Sequence, residues 1–519
     1  MSEIDIVAVK AVMSELPMLR PGPGGVAAVL HNGKVVAQTA WGYADLTTRK
    51  PMAADLRMPV CSVTKQFTCG VMLEALGSPE ALDPLMPSLL PNFDAELPKA
   101  RDLANNQSGL RDYWSLTILQ GAKAEAHFPR EAAAPLIARN RSGHFAPGTS
   151  YSYSNGNFRM LADLIEAATG QDMATLYRHH IWDPAGMKTA ILASDTREIV
   201  DGVVGYEGNP RTGYLPAENG IWWMGDAGMA ASLDDMIAYE AWIDRTREDE
   251  AGLYNRLSQP QKFRDGAMAY YGMGLQHHMV GSHRFTGHGG ALRGYRCYRM
   301  YSMSARLSVI VMLNHQSDAH GAGFALARAA LSVASPVAEG DNAGWQGQWL
   351  CPKSGLLVEL TPKGKGVNLR FGTGSDHLLP KANGTLAAGS VLIERQGTSL
   401  RMRRGAENYD AILPPLGPYA GASAEEIAGR WTCDELGADM IIETQGNGLG
   451  IWFEGMLGQG RIELAYPAAQ DIWLMQTRRS MDAPAPGDWT LKAEREGGQL
   501  TGLTLGVWLA RGLKYRRAN

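Results

Sequence analysis

The C-terminal third of the chain repeats itself. Gly347, Trp349, Cys351 and Gly355 recur as Gly429, Trp431, Cys433 and Gly437, and Gly364, Gly366 and Phe371 recur as Gly446, Gly448 and Phe453; every pair is 82 residues apart. Seven matches at one offset indicate a duplicated unit. Both copies are short apolar strands with frequent glycine turns and no long helical pattern. That predicts two small antiparallel β-barrel domains, separated at Pro414-Pro415-Leu416-Gly417-Pro418. The second copy carries an extra stretch, Arg478 to Asp488, and an added loop on a rigid scaffold is a place where function tends to reside.

The whole chain of 519 residues is long enough for about three domains. Ser335-Pro336 to Gly344 reads as a linker. The expected division is therefore 1–335, 345–414 and 419–519. The net charge of −4, without a basic block or an acidic tail, points away from nucleic acid and membrane surfaces. The start, Met1-Ser2-Glu3-Ile4-Asp5-Ile6, has neither the basic nor the apolar segment of a signal peptide, and no apolar run is long enough to span a bilayer. Five scattered cysteines do not make a disulfide framework, so a cytoplasmic location is expected. The pairs His179-His180 and His277-His278 lack carboxylate or cysteine partners at ligand spacing, and no metal or cofactor is expected.

The first 335 residues alternate between strand and helix signals. Val26–Leu30 and Val35–Ala37 flank Asn32-Gly33 and predict a hairpin, its second strand continuing through Ala44. Residues 78–150 read as loops and short helices. Helices are predicted over Met160–Ala168, ending at Gly170, over Met173–Ile181, and over Ala322–Val333. Leu307–Leu313 is strongly β-like. Strands at both ends with helices between them suggest one mixed sheet and a mostly helical middle.

Ser62 and Lys65 stand three apart at the head of a helical run through Leu76 that is apolar nearly all round. Three-residue spacing lets the amine reach the hydroxyl, and a serine nucleophile needs such a partner. A helix apolar on every side is buried. Burial lowers the pKa of an ammonium and would make Lys65 a usable base.

Two further motifs follow in order, Tyr153-Ser154-Asn155 and His288-Gly289-Gly290. Together with Ser62-x-x-Lys65 they resemble the serine β-lactamase and penicillin-binding protein superfamily, in its class C-like branch. The supporting context is Asn32-Gly33-Lys34-Val35, Pro147-Gly148-Thr149 and Pro184-Ala185-Gly186-Met187, with a partial match over Leu103–Leu110. The resemblance spans about residues 20–335 and implies an α/β β-lactamase-like catalytic domain, a mixed antiparallel sheet plus a helical subdomain. It implies that Ser62 is acylated and that Lys65 and Tyr153 share the base work, the tyrosine pKa being lowered by the lysine charge. Asn155 would orient the substrate amide. His288 replaces the family's strand lysine and carries charge only when protonated. The backbone N–H groups of Ser62 and Ala291 would form the oxyanion hole, beside Gly289 and Gly290.

A class C-like domain followed by two β-domains resembles the bacterial D-aminopeptidases of this superfamily. The implied substrate is a small peptide, amide or ester with a free N-terminal D-residue such as D-alanine; β-lactams would be possible inhibitors and a homodimer is plausible. An aminopeptidase must bind an ammonium and close the site beyond it. Asp482, in the added loop, is the candidate for both, with Asp226 in second place. Three other readings stay open: a broad esterase or D-Ala-D-Ala carboxypeptidase, a penicillin-binding sensor that stays acylated, and a β-barrel that carries an apolar ligand. A pH optimum above neutral is expected from Lys65 and Tyr153.

Overall fold

The computed structural model describes residues 4–417, 424–477, 479–482 and 487–518. A first helix, α1 (Ile6–Leu19), leads into β1 (Gly24–His31) and β2 (Lys34–Asp45). The expected hairpin forms between them. Asn32 and Gly33 both take positive φ, 54° and 72°, which a two-residue turn of this hand requires. After the short β3 (Lys50–Pro51) the chain leaves the sheet. It returns as β4 (Tyr271–Gly272), β5 (Leu275–Val280), β6 (His283–Leu292), β7 (Tyr295–Ser302) and β8 (Leu307–Leu313). The eight strands lie in the order β4-β5-β6-β7-β8-β1-β2-β3, antiparallel throughout.

Between the two halves of this sheet lie the helices. The central one, α2 (Thr64–Leu76), is buried at every residue from Thr64 to Leu73, as its all-round apolar sequence requires. The next long one, α3 (Asn155–Thr169), starts earlier than expected and stops at Gly170 in a left-handed cap, φ 69°. The expected helix 173–181 continues further, as Met173–Tyr177, a wider turn over Arg178–Trp182 and a last turn to Ala185. The helix expected over 322–333 runs one turn earlier, as α4 (Ala319–Ala330). Asp318 starts it by accepting the N–H of Gly321, and Ser332, at φ 52°, cannot continue it. One face of the sheet packs on α1 and α4, through Val9, Leu16, Val29, Val311 and Leu326. The other packs on α2 and the helical region.

The repeat folds as two barrel-like sheets. Eight strands from Gly347–Leu350 to Tyr409–Leu413 follow one another in chain order, and the ends nearly meet where Leu416 N–H donates to Gln348 O at 2.9 Å. In the second copy nine strands close on themselves, because Ala438–Gln445 pairs with both Gly429–Cys433 and Gly448–Gly455. The repeated glycines explain the matching offset. Gly355 and Gly437, and Gly364 and Gly446, all hold φ between 57° and 72° at equivalent turns, where a side chain would be strained. Of the separator and the added loop, Pro418, Arg478 and residues 483–486 lie outside the described residues.

The barrels are not appendages. The core of the catalytic domain continues without a break into the second barrel, through Trp114, Leu116, Trp431, Phe453 and Trp489. The first barrel's core takes in Trp508 and Leu509 of the second, with Tyr153 packed against it. All five cysteines are buried free thiols. Among the described residues no helix is long and apolar enough to cross a membrane.

Candidate active site

The turn before α2 sets the site. Cys61 holds a positive φ of 51°, a conformation rare for a side chain of this kind, and so turns Ser62 outward at the head of the helix. Ser62 sits in a tight turn, Cys61–Val63, rather than in the α-helix itself. The turn is held by Thr64, whose Oγ1 donates to Cys61 O at 2.7 Å and accepts the N–H of Met229 at 3.2 Å. Strand β6 lies directly against it. A Cβ on Gly290 would fall 2.3 Å from Val60 O, so only glycine permits this approach.

Three of the expected residues meet at one oxygen. Lys65 Nζ lies 3.0 Å from Ser62 Oγ, and the Tyr153 hydroxyl donates to the same atom at 2.8 Å. Lys65 Nζ also donates to Asn155 Oδ1 at 2.9 Å and to Asp226 O at 2.7 Å. Those two partners can only accept. A neutral amine has two N–H bonds and one lone pair, so with both N–H bonds committed the lone pair points at Ser62. Burial pulls the Lys65 ammonium down to about 8, against the opposing pull of Asp226, Asp112 and Asp482.

Tyr153 departs from expectation. The lysine charge was expected to lower its pKa; instead burial pushes the phenol well above its ordinary value, the Ser62 hydrogen bond opposing only in part. Tyr153 is therefore a neutral phenol in the resting site. His288 is neutral too. Its Nδ1 donates to Gly289 O at 2.5 Å, which leaves Nε2 to accept from the Tyr271 hydroxyl at 3.1 Å. Burial, with Lys65 nearby, lowers its pKa to about 3.

Ser62, Tyr153, Asn155, His288, Gly289, Gly290 and Ala291 all line one cavity of about 740 Å³. Asp482 lines it as well. It is half-buried, its Oδ1 accepts from Ser480 Oγ at 2.9 Å, and its carbonyl accepts the N–H of Arg293 at 3.0 Å. Burial pushes its carboxyl up. Asp226, in second place on sequence, is fully buried behind Lys65, bonded to the Tyr113 hydroxyl at 2.7 Å, and does not line the cavity.

Several wall residues had no sequence signal. Asp112 and Trp114 come from a loop and short helix with no motif of their own. Both barrels add to the wall: Gly372, Arg404 and Glu407 from the first, Trp508 and Leu509 from the second. The first barrel is locked on beside Tyr153, where Glu407 O accepts the N–H of Tyr151 at 3.1 Å and Asn408 Nδ2 donates to Thr149 O at 3.0 Å.

Comparison with known proteins agrees with this architecture. Residues 15–334 match the family model "Beta-lactamase", and residues 339–516 match "D-aminopeptidase, domain B". The chain is 51% identical over 514 residues to the D-aminopeptidase of Cereibacter sphaeroides (strain ATCC 17029 / ATH 2.4.9), with 99% of each chain covered. It is 47% identical over 521 residues to the D-aminopeptidase of Brucella melitensis biotype 2 (strain ATCC 23457), with 100% of each covered. A solved octameric penicillin-binding protein homologue from Pyrococcus abyssi shares the fold, with a TM-score of 0.57 at 18% identity, covering 79% of this chain and 100% of that one.

Proposed function

The chain belongs to the family of D-aminopeptidases built on a β-lactamase-like catalytic domain, and from that premise we propose that Ser62 removes N-terminal D-residues from small peptides, amides and esters through an acyl-enzyme. The observation that carries the reading is the shared oxygen: Ser62 Oγ between the Lys65 amine and the Tyr153 hydroxyl, at a cavity that both barrels wall off.

In the proposed reaction the neutral Lys65 takes the Ser62 proton as Oγ attacks the substrate carbonyl. The N–H groups of Ser62 and Ala291 receive the developing oxyanion, and Asn155 orients the amide. Tyr153, a neutral phenol aimed at the same oxygen, relays to the departing amine the proton that Lys65 took from Ser62, giving its own hydroxyl proton and receiving the one on the Lys65 ammonium, so that both end neutral. Water then attacks the acyl-enzyme along the same path in reverse. Asp482 binds the substrate ammonium and closes the site behind it. The proposed division into a catalytic domain and two single-barrel domains gives each sheet its own part: the first barrel fixes the Tyr153 side of the cavity, and the second carries Asp482.

The carboxypeptidase alternative needs a cation for the substrate carboxylate where the family has its strand lysine. A His288 that stays neutral above pH of about 3 gives it none. The test is hydrolysis of D-alanine p-nitroanilide, its L isomer and the N-acetylated D form, with Ser62→Ala as blank. Cleavage confined to the free D form is expected. Equal cleavage of the acetylated form would remove the aminopeptidase reading and leave a general serine hydrolase.

A further inference from the structure

We propose that Asp112 is the second carboxylate of the ammonium subsite, so that the substrate amine is held between Asp112 and Asp482. The inference rests on the aminopeptidase reading above and adds a residue that no motif marks.

The geometry of Asp112 is that of a binding group with one oxygen in reserve. The residue is 1% exposed, yet it lines the cavity together with Ser62 and Asp482. Its Oδ1 accepts the N–H of Asn155 at 2.6 Å, at the start of α3. Its Oδ2 takes no hydrogen bond and no ion pair among the described residues. A carboxylate on so deeply buried a residue is costly to ionise unless a ligand completes it from the cavity it lines.

The charges around the nucleophile point to a cation as that ligand. Asp112, Asp226 and Asp482 all act on Lys65, and Asp482 and Asp226 act on Asp112. Arg296 lines the same cavity with its Nη1 bonded to Leu292 O and Tyr295 O, both at 2.7 Å, and it feels Asp482. On the cavity wall beside the nucleophile two carboxylates, Asp112 and Asp482, thus face one cation, Arg296, while the reactive Lys65 and His288 are neutral; behind the wall Asp226 is set against Arg159, and Arg293 against Glu125 at 3.6 Å. The remaining charges of the wall are committed elsewhere. Arg404 is bonded to Glu407 at 2.8 Å and to Asp376 at 3.0 Å, and the exposed Asp318 caps α4. The inner site is one positive charge short, the charge a substrate ammonium brings. Burial and Asp482 hold the Asp112 carboxyl up at about 7, as expected of a carboxylate whose counter-ion is the substrate.

The placement is also set from outside. The N–H of Asp112 donates to Leu509 O at 2.8 Å, a carbonyl of the second barrel. The barrel that carries Asp482 therefore also fixes the backbone of Asp112.

The experiment compares D-alanine p-nitroanilide with the p-nitroanilide of (R)-lactic acid, which replaces the ammonium by a hydroxyl of similar size. The variants are Asp112→Asn, Asp112→Glu and Asp482→Asn, with rates normalised to the p-nitrophenol burst from p-nitrophenyl acetate, which counts folded sites. The Asn side chain can still accept from Asn155 N–H; if that variant gives no burst, Asp112→Ser carries the same comparison. The expected result is that Asp112→Asn lowers the amine-to-hydroxyl ratio of kcat/KM by about 30-fold or more, mostly in KM, as for loss of one partner of a buried charge pair. Asp112→Glu should keep more of that ratio than Asn. Equal losses on both substrates, or an unchanged ratio, would overturn the proposal. A ratio that falls in Asp482→Asn but not in Asp112→Asn sinks Asp112 alone. A wild-type enzyme with no preference for the amine sinks the aminopeptidase reading together with it.

Discussion

At the scale of single residues, the chemistry turns on which proton sits where. Lys65 is a base only when neutral, and burial brings its pKa to about 8, so the fraction of competent enzyme rises as pH climbs through that value. Asp112, at about 7, is already ionised by then. The substrate's own α-amine loses its charge near pH ~8, and binding weakens above it. For an aminoacyl anilide kcat/KM should therefore trace a bell centred near pH 8. A substrate without an amine should show the rising limb alone. A flat profile from pH 6 to 9 for both would exclude Lys65 as the titrating base. Lys65→Arg, whose guanidinium cannot become neutral, should lose on the order of 10²–10⁴-fold in kcat.

At the scale of elements, what matters is how closely β6 approaches the turn before α2. Gly290 is the contact, with no room for a Cβ within 2.3 Å of Val60 O. Gly290→Ala must push the strand away from Ser62, and with it the N–H of Ala291. An error of about 1 Å in such a site costs on the order of 10²-fold. The expected outcome is that loss in kcat with the far-ultraviolet spectrum unchanged; a kcat within a factor of three of wild type would show that β6 does not set the oxyanion geometry. Much at this scale was legible in the sequence, because local physics dictates it. Asn32-Gly33 permits one turn, Gly170 one kind of helix end, and the spaced glycines of the repeat recur in left-handed turns. Ser62, Lys65, Tyr153, Asn155 and His288 were legible because each sits in a short motif. Asp112 was not. An aspartate among Leu110-Arg111-Asp112-Tyr113 looks like any other, and it acquires meaning only where α3 and the second barrel close around it. The state of Tyr153 was illegible for a related reason: its pKa depends on burial, which the barrels impose, more than on the lysine beside it.

At the scale of the whole molecule, the second barrel and the catalytic domain behave as one body, and Arg111 shows why. It is buried to 4% exposure. Its Nη1 donates to Glu435 Oε1 at 2.6 Å and to Ser142 O at 2.7 Å, and its Nε donates to Arg511 O at 3.1 Å. One guanidinium thus ties the catalytic domain to two segments of the barrel, and the next residue in the chain is Asp112. Gln120 makes a second tie, donating to Leu436 O at 2.8 Å and accepting the N–H of Met456 at 3.0 Å. Behind both runs the shared apolar core. Arg111→Ala would leave the Glu435 carboxylate with only the Ser142 hydroxyl as donor, at 3.0 Å, and two carbonyls with none among the described residues, a loss of about 3 kcal/mol for a broken, largely buried pair. The continuous core should still hold the barrel in place, so unfolding in urea should remain a single transition with a lower midpoint. The functional effect should be larger than the stability loss implies. Asp482 and the Leu509 carbonyl that positions Asp112 both ride on this barrel, so a small shift of its docking displaces both carboxylates at once. KM for D-alanine p-nitroanilide should rise while the p-nitrophenyl acetate burst, which needs only Ser62 and its base, persists. A lowered urea midpoint with KM unchanged would show that the barrel stabilises the catalytic domain without shaping its amine subsite.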